Sequence, residues 1–159
     1  MRREIEVLAR AVIARRGRFL VARAAGADYA YLPGGHVEPG EGMRACLARE
    51  LREELGAEAR VGRYLGAVEH AWTDGRGRHQ EVNHLFAARI AGVDDPPESR
   101  EQGLEFLWLR PRELSRFGLE PAPLRGWLAS RQAAGGGGRW LSTIETRRGA
   151  RRGRGGRGR

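Results

Sequence analysis

Hydrophobic positions change period along the chain, and each change marks an element. Glu6 to Ala14 is mostly apolar (VLARAVIA). Arg18 to Ala24 (RFLVARA) follows the polar Arg15-Arg16-Gly17, which predicts a β-hairpin. Tyr29 to Leu32 reads as a short strand ending in a turn at Leu32-Pro33-Gly34-Gly35, because two adjacent glycines permit tight backbone. From Gly42 to Leu55 the apolar residues Met43, Leu47, Leu51 and Leu55 recur every fourth position, one ridge of an amphipathic helix that Gly56 can stop in the left-handed conformation. Within Glu58 to Trp72 the alternation of Ala59, Val61, Leu65 and Ala67 predicts a pair of strands with bends at Gly62 and Gly66. Thr73 to Arg78 is a polar turn, and His79 to Ile90 returns as another strand. Residues 91–103 form a polar loop into the strand Leu104 to Leu109 (LEFLWL). Pro111 opens a short helical turn. Pro123 to Ala133 places Leu124, Trp127 and Leu128 on one face, predicting a helix that covers the sheet.

The chain has 159 residues, enough for one domain with an appendage. We place the folded domain at 1–134. A Gly-rich break and a short segment able to dock back through Trp140, Leu141 and Ile144 follow at 135–146, and a disordered tail of Arg, Gly and Ala at 147–159. That tail supplies seven of the formal net charge of +9, leaving +2 for the rest. All 29 basic residues are Arg, so a single surface Arg says little about chemistry. No apolar run approaches the roughly eighteen residues that span a bilayer. The N-terminus lacks a signal peptide's apolar stretch, so a cytoplasmic location without membrane attachment is expected. Cys46 is the sole cysteine, which permits no internal disulfide and agrees with a reducing compartment.

Candidate chemistry concentrates on the predicted helix. Glu50, Glu53 and Glu54 stand at i, i+3 and i+4, which brings their carboxylates to one face, away from the Leu ridge. Crowded like charges call for a neutralising partner, and a hard divalent cation such as Mg²⁺, with Mn²⁺ as an alternative, takes carboxylates together with phosphate oxygens. A lone Cys and scattered His do not make a soft-ligand site. The loop before the helix could add a Gly carbonyl. The bland alternative is a solvated Glu/Arg face with ion pairs along it.

The stretch Gly35 to Ala57 (GHVEPGEGMRACLARELREELGA) has Gly35, then Glu41 after five residues, then Arg49-Glu50 after seven more. Leu51, Glu53-Glu54, Gly56 and the apolar Ala57 complete it. It resembles the signature box of the Nudix hydrolases, pyrophosphohydrolases of nucleoside diphosphates linked to another moiety. The surrounding pattern is similar to that family from about Glu6 to Leu128. The resemblance implies an α/β/α sandwich with a mixed sheet, and water attack on a phosphorus of the diphosphate bridge. Carried over by position, it makes Glu53 and Glu54 metal ligands, Glu50 a ligand or the base, and the Gly34 carbonyl a further ligand. Glu41 and Arg49 become a pair bracing the loop against the helix. Gly42 departs from the Ser or Thr that many relatives place as N-cap, which touches stability rather than chemistry. The resemblance also makes Arg23 a phosphate contact, against a solvated strand-end Arg. It makes Glu101 the extra ligand or base, with Glu98 and Glu105 as competitors and ordinary loop charge as the alternative.

The expectation is a Mg²⁺-dependent hydrolase of a small nucleotide substrate, monomeric or homodimeric. Tyr29, Tyr31, His70, Trp72 and His84 are candidates to border the nucleoside, against plain core or structural roles. Alternatives are an RNA 5′-end pyrophosphohydrolase, in which the Arg/Gly tail adds weak RNA binding, and a catalytically silent nucleotide- or RNA-binding module. Three crowded carboxylates argue against the silent module. The favoured reading of the tail is an unselected, disordered extension of an Arg- and Gly-biased chain.

Overall fold

The computed structural model describes residues 4–95, 97–130 and 138–144. The chain runs β1 (Glu6–Val12), β2 (Ala14–Arg15), β3 (Arg18–Ala24), β4 (Gly34–His36), α1 (Met43–Leu55), β5 (Glu58–Asp74), β6 (Gly77–Ala91) and β7 (Leu104–Leu109). A 3-10 turn at Pro111–Glu113, α2 (Pro123–Ala129) and β8 (Arg139–Ser142) complete it. Five strands form one sheet in the order β4-β1-β6-β5-β8, and three form another in the order β2-β3-β7. The larger sheet is mixed, with β1 parallel to β6 and β5 parallel to β8. With α1 and α2 packed on separate cores, this is the expected α/β/α sandwich with a mixed sheet.

Both faces of the central strands are apolar, and each packs a separate core. Toward α1, Ala9 and Ala11 of β1 meet Cys46, Leu47, Leu51 and Leu55 of the helix, with Phe86 and Ala88 of β6 alongside. Toward α2, Val12, Val68 and Leu85 meet Leu124, Trp127 and Leu128. Each fully buried leucine contributes about 1.5–3 kcal/mol, so the four-residue ridge on α1 is what holds that helix to the sheet. Gly42 caps α1 without a side-chain hydrogen bond. Gly56 closes it in the left-handed conformation (φ 63°, ψ 20°), donating its N–H back to Arg52 O.

Three expectations need correction. The hairpin is confined to β2 and β3, while β1 leaves it to lie between β4 and β6. A strand buried on both faces gains most from partners on both edges, which the interior of a sheet supplies. Tyr29 to Leu32 forms only single bridges, Ala22 to Tyr31 and Ala30 to Leu119, and the strand proper is Gly34–His36. Its glycines serve close approach, not reversal: Gly34 sits at φ +127°, and a Cβ there would overlap the carbonyl oxygen of Ala9. Finally, Glu58 to Trp72 is one continuous strand. Register shifts between Val61 and Tyr64 and between Tyr64 and Gly66 absorb the glycines as bulges.

The predicted tail at 147–159 lies outside the described residues, as do 135–137 of the break and the last residues of the predicted second helix. No helix among the described residues is long and apolar enough to cross a membrane.

Candidate active site

Arg49 organises the exposed side of α1. Its Nε and Nη2 grip the two oxygens of Glu41 at 2.8 and 2.9 Å, while Nη1 donates to Glu50 Oε1 at 2.8 Å and Glu53 Oε2 at 3.3 Å. Such a bidentate guanidinium–carboxylate pair is the strong form of a charged hydrogen bond. Those bonds from Arg49 depress the Glu41 pKa to about 2, and the same carboxylates raise that of Arg49. The loop before the helix is therefore tied to its second turn. Glu41 also accepts the Glu38 N–H, which closes the loop on itself.

The three box carboxylates lie in different environments. Glu53 is exposed, and Glu50 is half-buried against Gly35, where a Cβ would come within 2.5 Å of its Cδ. Glu54 is only 8 % exposed, and its Oε2 has no hydrogen-bond partner. Burial pushes the Glu54 pKa up to about 8, with the charge of Glu50 next in size; Arg10 opposes, and Glu101 and Glu53 add to the rise. Among the described residues no three His, Cys, Asp or Glu side chains converge into a ready-made cage. The expected single cluster is thus split, because Arg49 draws Glu50 and Glu53 to itself while Glu54 turns inward. Cys46 is buried beside them with its thiol 3.3 Å from the His36 carbonyl, and burial pushes its pKa to about 11, so it is not a thiolate ligand.

The 98–103 loop is seated on the C-terminal end of α1. Arg100 N–H donates to Glu54 O at 2.6 Å, and the Arg100 guanidinium lies over Gly56 in the space a Cβ would fill. Ser99 Oγ accepts the Glu101 N–H, so Glu101 follows directly from the anchored Arg100, and its charge is felt at Glu54. Glu98 is exposed. Glu105, the other competitor, is instead the cross-strand partner of Arg23, with Arg23 Nε 2.6 Å from its Oε1. Arg23 also lies over the Phe117 ring at 5.7 Å.

Sequence reasoning missed Arg10. It donates from Nε to Asn83 Oδ1 at 3.1 Å and from Nη1 to the carbonyls of Leu32 and Gly34 at 3.1 and 2.8 Å. Gly34 O, expected as a metal ligand, thus already accepts from a cation. Burial lowers the Arg10 pKa, opposed first by Glu81. The available signal was a lone charge at the centre of VLARAVIA, where only a paired Arg is tolerated. Arg10 also lines a cleft of about 870 Å³ whose walls include Tyr29, Tyr31, His70, Trp72 and Asn83. The box carboxylates do not line it, so Arg10 joins the two regions. His84 lies outside the cleft, its Nδ1 3.0 Å from the Tyr64 hydroxyl.

A family model described as the NUDIX domain matches residues 3–130. The chain belongs to the Nudix family. Among curated relatives, a CTP pyrophosphohydrolase of Escherichia coli K12 is 39% identical over 124 residues, covering 76% of this chain and 86% of that protein. A putative 8-oxo-dGTP diphosphatase of Bacillus subtilis 168 is 33% identical over 87 residues, spanning 54% of this Nudix chain and 53% of the relative. The solution structure of the E. coli ORF135 protein superposes with a TM-score of 0.63 at 32% identity, over 83% of this chain and 94% of that one.

A divalent cation, which Nudix hydrolases generally use, fits the donors present. They are hard oxygens, one of them buried without a partner, and the charges of Glu50, Glu53 and Glu101 already disfavour a bare carboxylate at Glu54. A cation there would satisfy that oxygen and remove the repulsion.

Proposed function

We propose that this Nudix protein is a divalent-cation-dependent pyrophosphohydrolase of nucleoside triphosphates, with CTP the first substrate to test. The observation that carries the proposal is the unpartnered, buried Glu54 Oε2, at which the charges of Glu50, Glu53 and Glu101 are felt, close to Arg10 of an aromatic-walled cleft. The relative named for CTP and those named for 8-oxo-dGTP support a triphosphate over other nucleotide conjugates.

Glu53 and Glu54 would hold the divalent cation, which when bound would supply Lewis-acid polarisation of phosphate oxygens and of the attacking water. Glu41 and Arg49 fix the loop against α1 and keep Glu50 oriented. Glu50 and Glu101 are the carboxylates available to take the proton from the attacking water. The cleft lined by Tyr29, Tyr31, His70 and Trp72 takes the nucleoside. Arg10, which lines the cleft and feels the charges of Glu54 and Glu50, is the cation available to hold negative charge on the phosphates. Arg23 is a second candidate for that charge, once released from Glu105.

The test is a panel of CTP, dCTP, 8-oxo-dGTP, dGTP and ADP-ribose with Mg²⁺, assayed for released pyrophosphate and nucleoside monophosphate. Triphosphates should yield both products. Turnover of ADP-ribose alone, or of nothing, refutes the proposal. On the same assay, Glu101→Gln should slow turnover by about a hundredfold with little change in nucleotide affinity, while Glu98→Gln stays within about twofold. Small and equal effects would return the loop to ordinary charge and leave Glu50 as the base.

A further inference from the structure

β8 lies beyond the residues matched by the family model, yet it is built into the larger sheet. It pairs parallel with β5 from Gly66–Arg139 to Glu69–Ser142. The edge of β5 is shaped for it: Gly66 stands at φ +138°, and a Cβ there would overlap Arg139 backbone. Ser142 Oγ donates to Glu69 Oε1 at 2.6 Å, and Thr143 N–H donates to Glu69 O at 3.2 Å.

The next contact reaches the cleft. Thr143 Oγ1 accepts the Ala71 N–H at 3.3 Å and lies 3.2 Å from His70 Nδ1. His70 stacks on Trp72 (centroids 5.1 Å apart, planes at 21°), and Trp72 stacks on His79 (5.0 Å, 12°). At the far end His79 Nε2 is 2.9 Å from Asp74 Oδ1. Three rings thus form a ladder pinned at one end by Asp74 and at the other by Thr143, and His70 and Trp72 of that ladder wall the cleft. An aromatic wall binds a base better when its rings need not be ordered at the moment of binding.

We infer that Thr143 is a positioning residue for nucleotide binding: its hydroxyl fixes His70, and through it the ring ladder, so that the strand after the family domain completes the nucleoside cleft. The inference rests on the cleft being the nucleoside site.

Three variants of the full chain test it: Thr143→Val, which removes the hydroxyl at nearly constant shape, Thr143→Ser, which restores it, and Ser142→Ala, which removes the Ser142–Glu69 hydrogen bond of β8 while keeping the Thr143 hydroxyl. The readouts are KM and kcat for CTP with Mg²⁺, melting temperature, and the imidazole ¹⁵N resonances of His70. Thr143→Val should raise KM about fivefold, the scale of one lost hydrogen bond, leave kcat within about twofold, and move the Nδ1 resonance. Thr143→Ser should restore both. Ser142→Ala should lower the melting temperature but leave KM and the resonance in place. An unchanged KM in Thr143→Val, no recovery in Thr143→Ser, or an equal KM rise in Ser142→Ala overturns the inference. Should the wild type turn over none of the triphosphates, the nucleotide proposal and the binding role of Thr143 fall together, and the His70 resonance then decides only whether Thr143 fixes the ring ladder. A shift in Thr143→Val reversed by Thr143→Ser supports it; an unmoved signal ends it.

Discussion

Replacing Glu54 by Gln should lower kcat by at least about a hundredfold, the scale of one electrostatic contact to a transition state, while making the protein without metal more stable above neutral pH. The two effects have one cause. Glu54 is 8 % exposed, its Oε2 has no partner, and burial together with the charge of Glu50 raises its pKa to about 8. A carboxylate held there costs the fold energy that an amide of the same shape does not, which is the usual sign of a group kept for function. Glu41→Gln should behave in the opposite way. Glu41 is clamped by two nitrogens of Arg49, so the variant should lose stability and some rate yet still bind Mg²⁺. The measurement is Mg²⁺-dependent pyrophosphate release beside thermal melts in chelator. Wild-type turnover by Glu54→Gln, or undiminished wild-type turnover in excess chelator, would sink the metal assignment.

How much of this was legible in the sequence depended on how local each feature is. The four-residue ridge on α1 and the Gly56 stop are set within a few turns of helix, and the observed helix Met43–Leu55 differs from the expected Gly42 to Leu55 only at its cap. The spacing from Gly35 to Glu54 carried the family for the same reason. Strand pairing was less legible, because glycine signals a turn, a bulge or close approach with the same letter. Gly34 and Gly35 lie flat on β1 and under Glu50, and Gly62 and Gly66 sit in bulges of an unbroken β5. Which of these applies depends on what lies opposite. The cleft was legible in part: Tyr29, Tyr31, His70 and Trp72, expected as borders of a nucleoside, do line it, whereas Arg10 and Asn83 lie in separate strands that only the adjacency of β1 and β6 brings together. Helical spacing put Glu50, Glu53 and Glu54 together correctly in sequence terms, but Arg49 and the burial of Glu54 separate their environments.

The second large effect is a pH dependence of stability in protein freed of divalent cations. Glu54 has a carboxyl pKa of 4.5 when unperturbed and about 8 in the fold, so between those values the folded state holds a proton that the unfolded chain has released. Stability from this group is therefore complete below about pH 4.5 and is lost progressively as pH rises toward 8. At about 1.4 kcal/mol per pH unit, the loss amounts to several kcal/mol, a large part of a domain's total stability. Two other groups have to be separated from it. Glu41 is shifted the other way, to about 2, so its contribution is lost only as pH falls below about 4.5 and is constant across this window. Burial lowers the His84 pKa, which makes stability rise with pH as the unfolded imidazole loses its proton near 6.5. Glu54→Gln keeps both of those groups. The difference between wild type and Glu54→Gln in urea melts at pH 5 and pH 8.5, both in chelator, therefore isolates Glu54. Wild type should lose several kcal/mol more than the variant between the two pH values. Mg²⁺ at saturating concentration should recover much of the gap at pH 8.5 in wild type only, because an ion that binds the folded state alone adds about 2.7 kcal/mol at a hundred times its Kd. If wild type and variant fall in parallel, Glu54 is ionised at neutral pH in the fold. The repulsion assigned to Glu50, Glu53 and Glu101 must then be relieved by the protein itself, and the case for a cation at that oxygen goes with it.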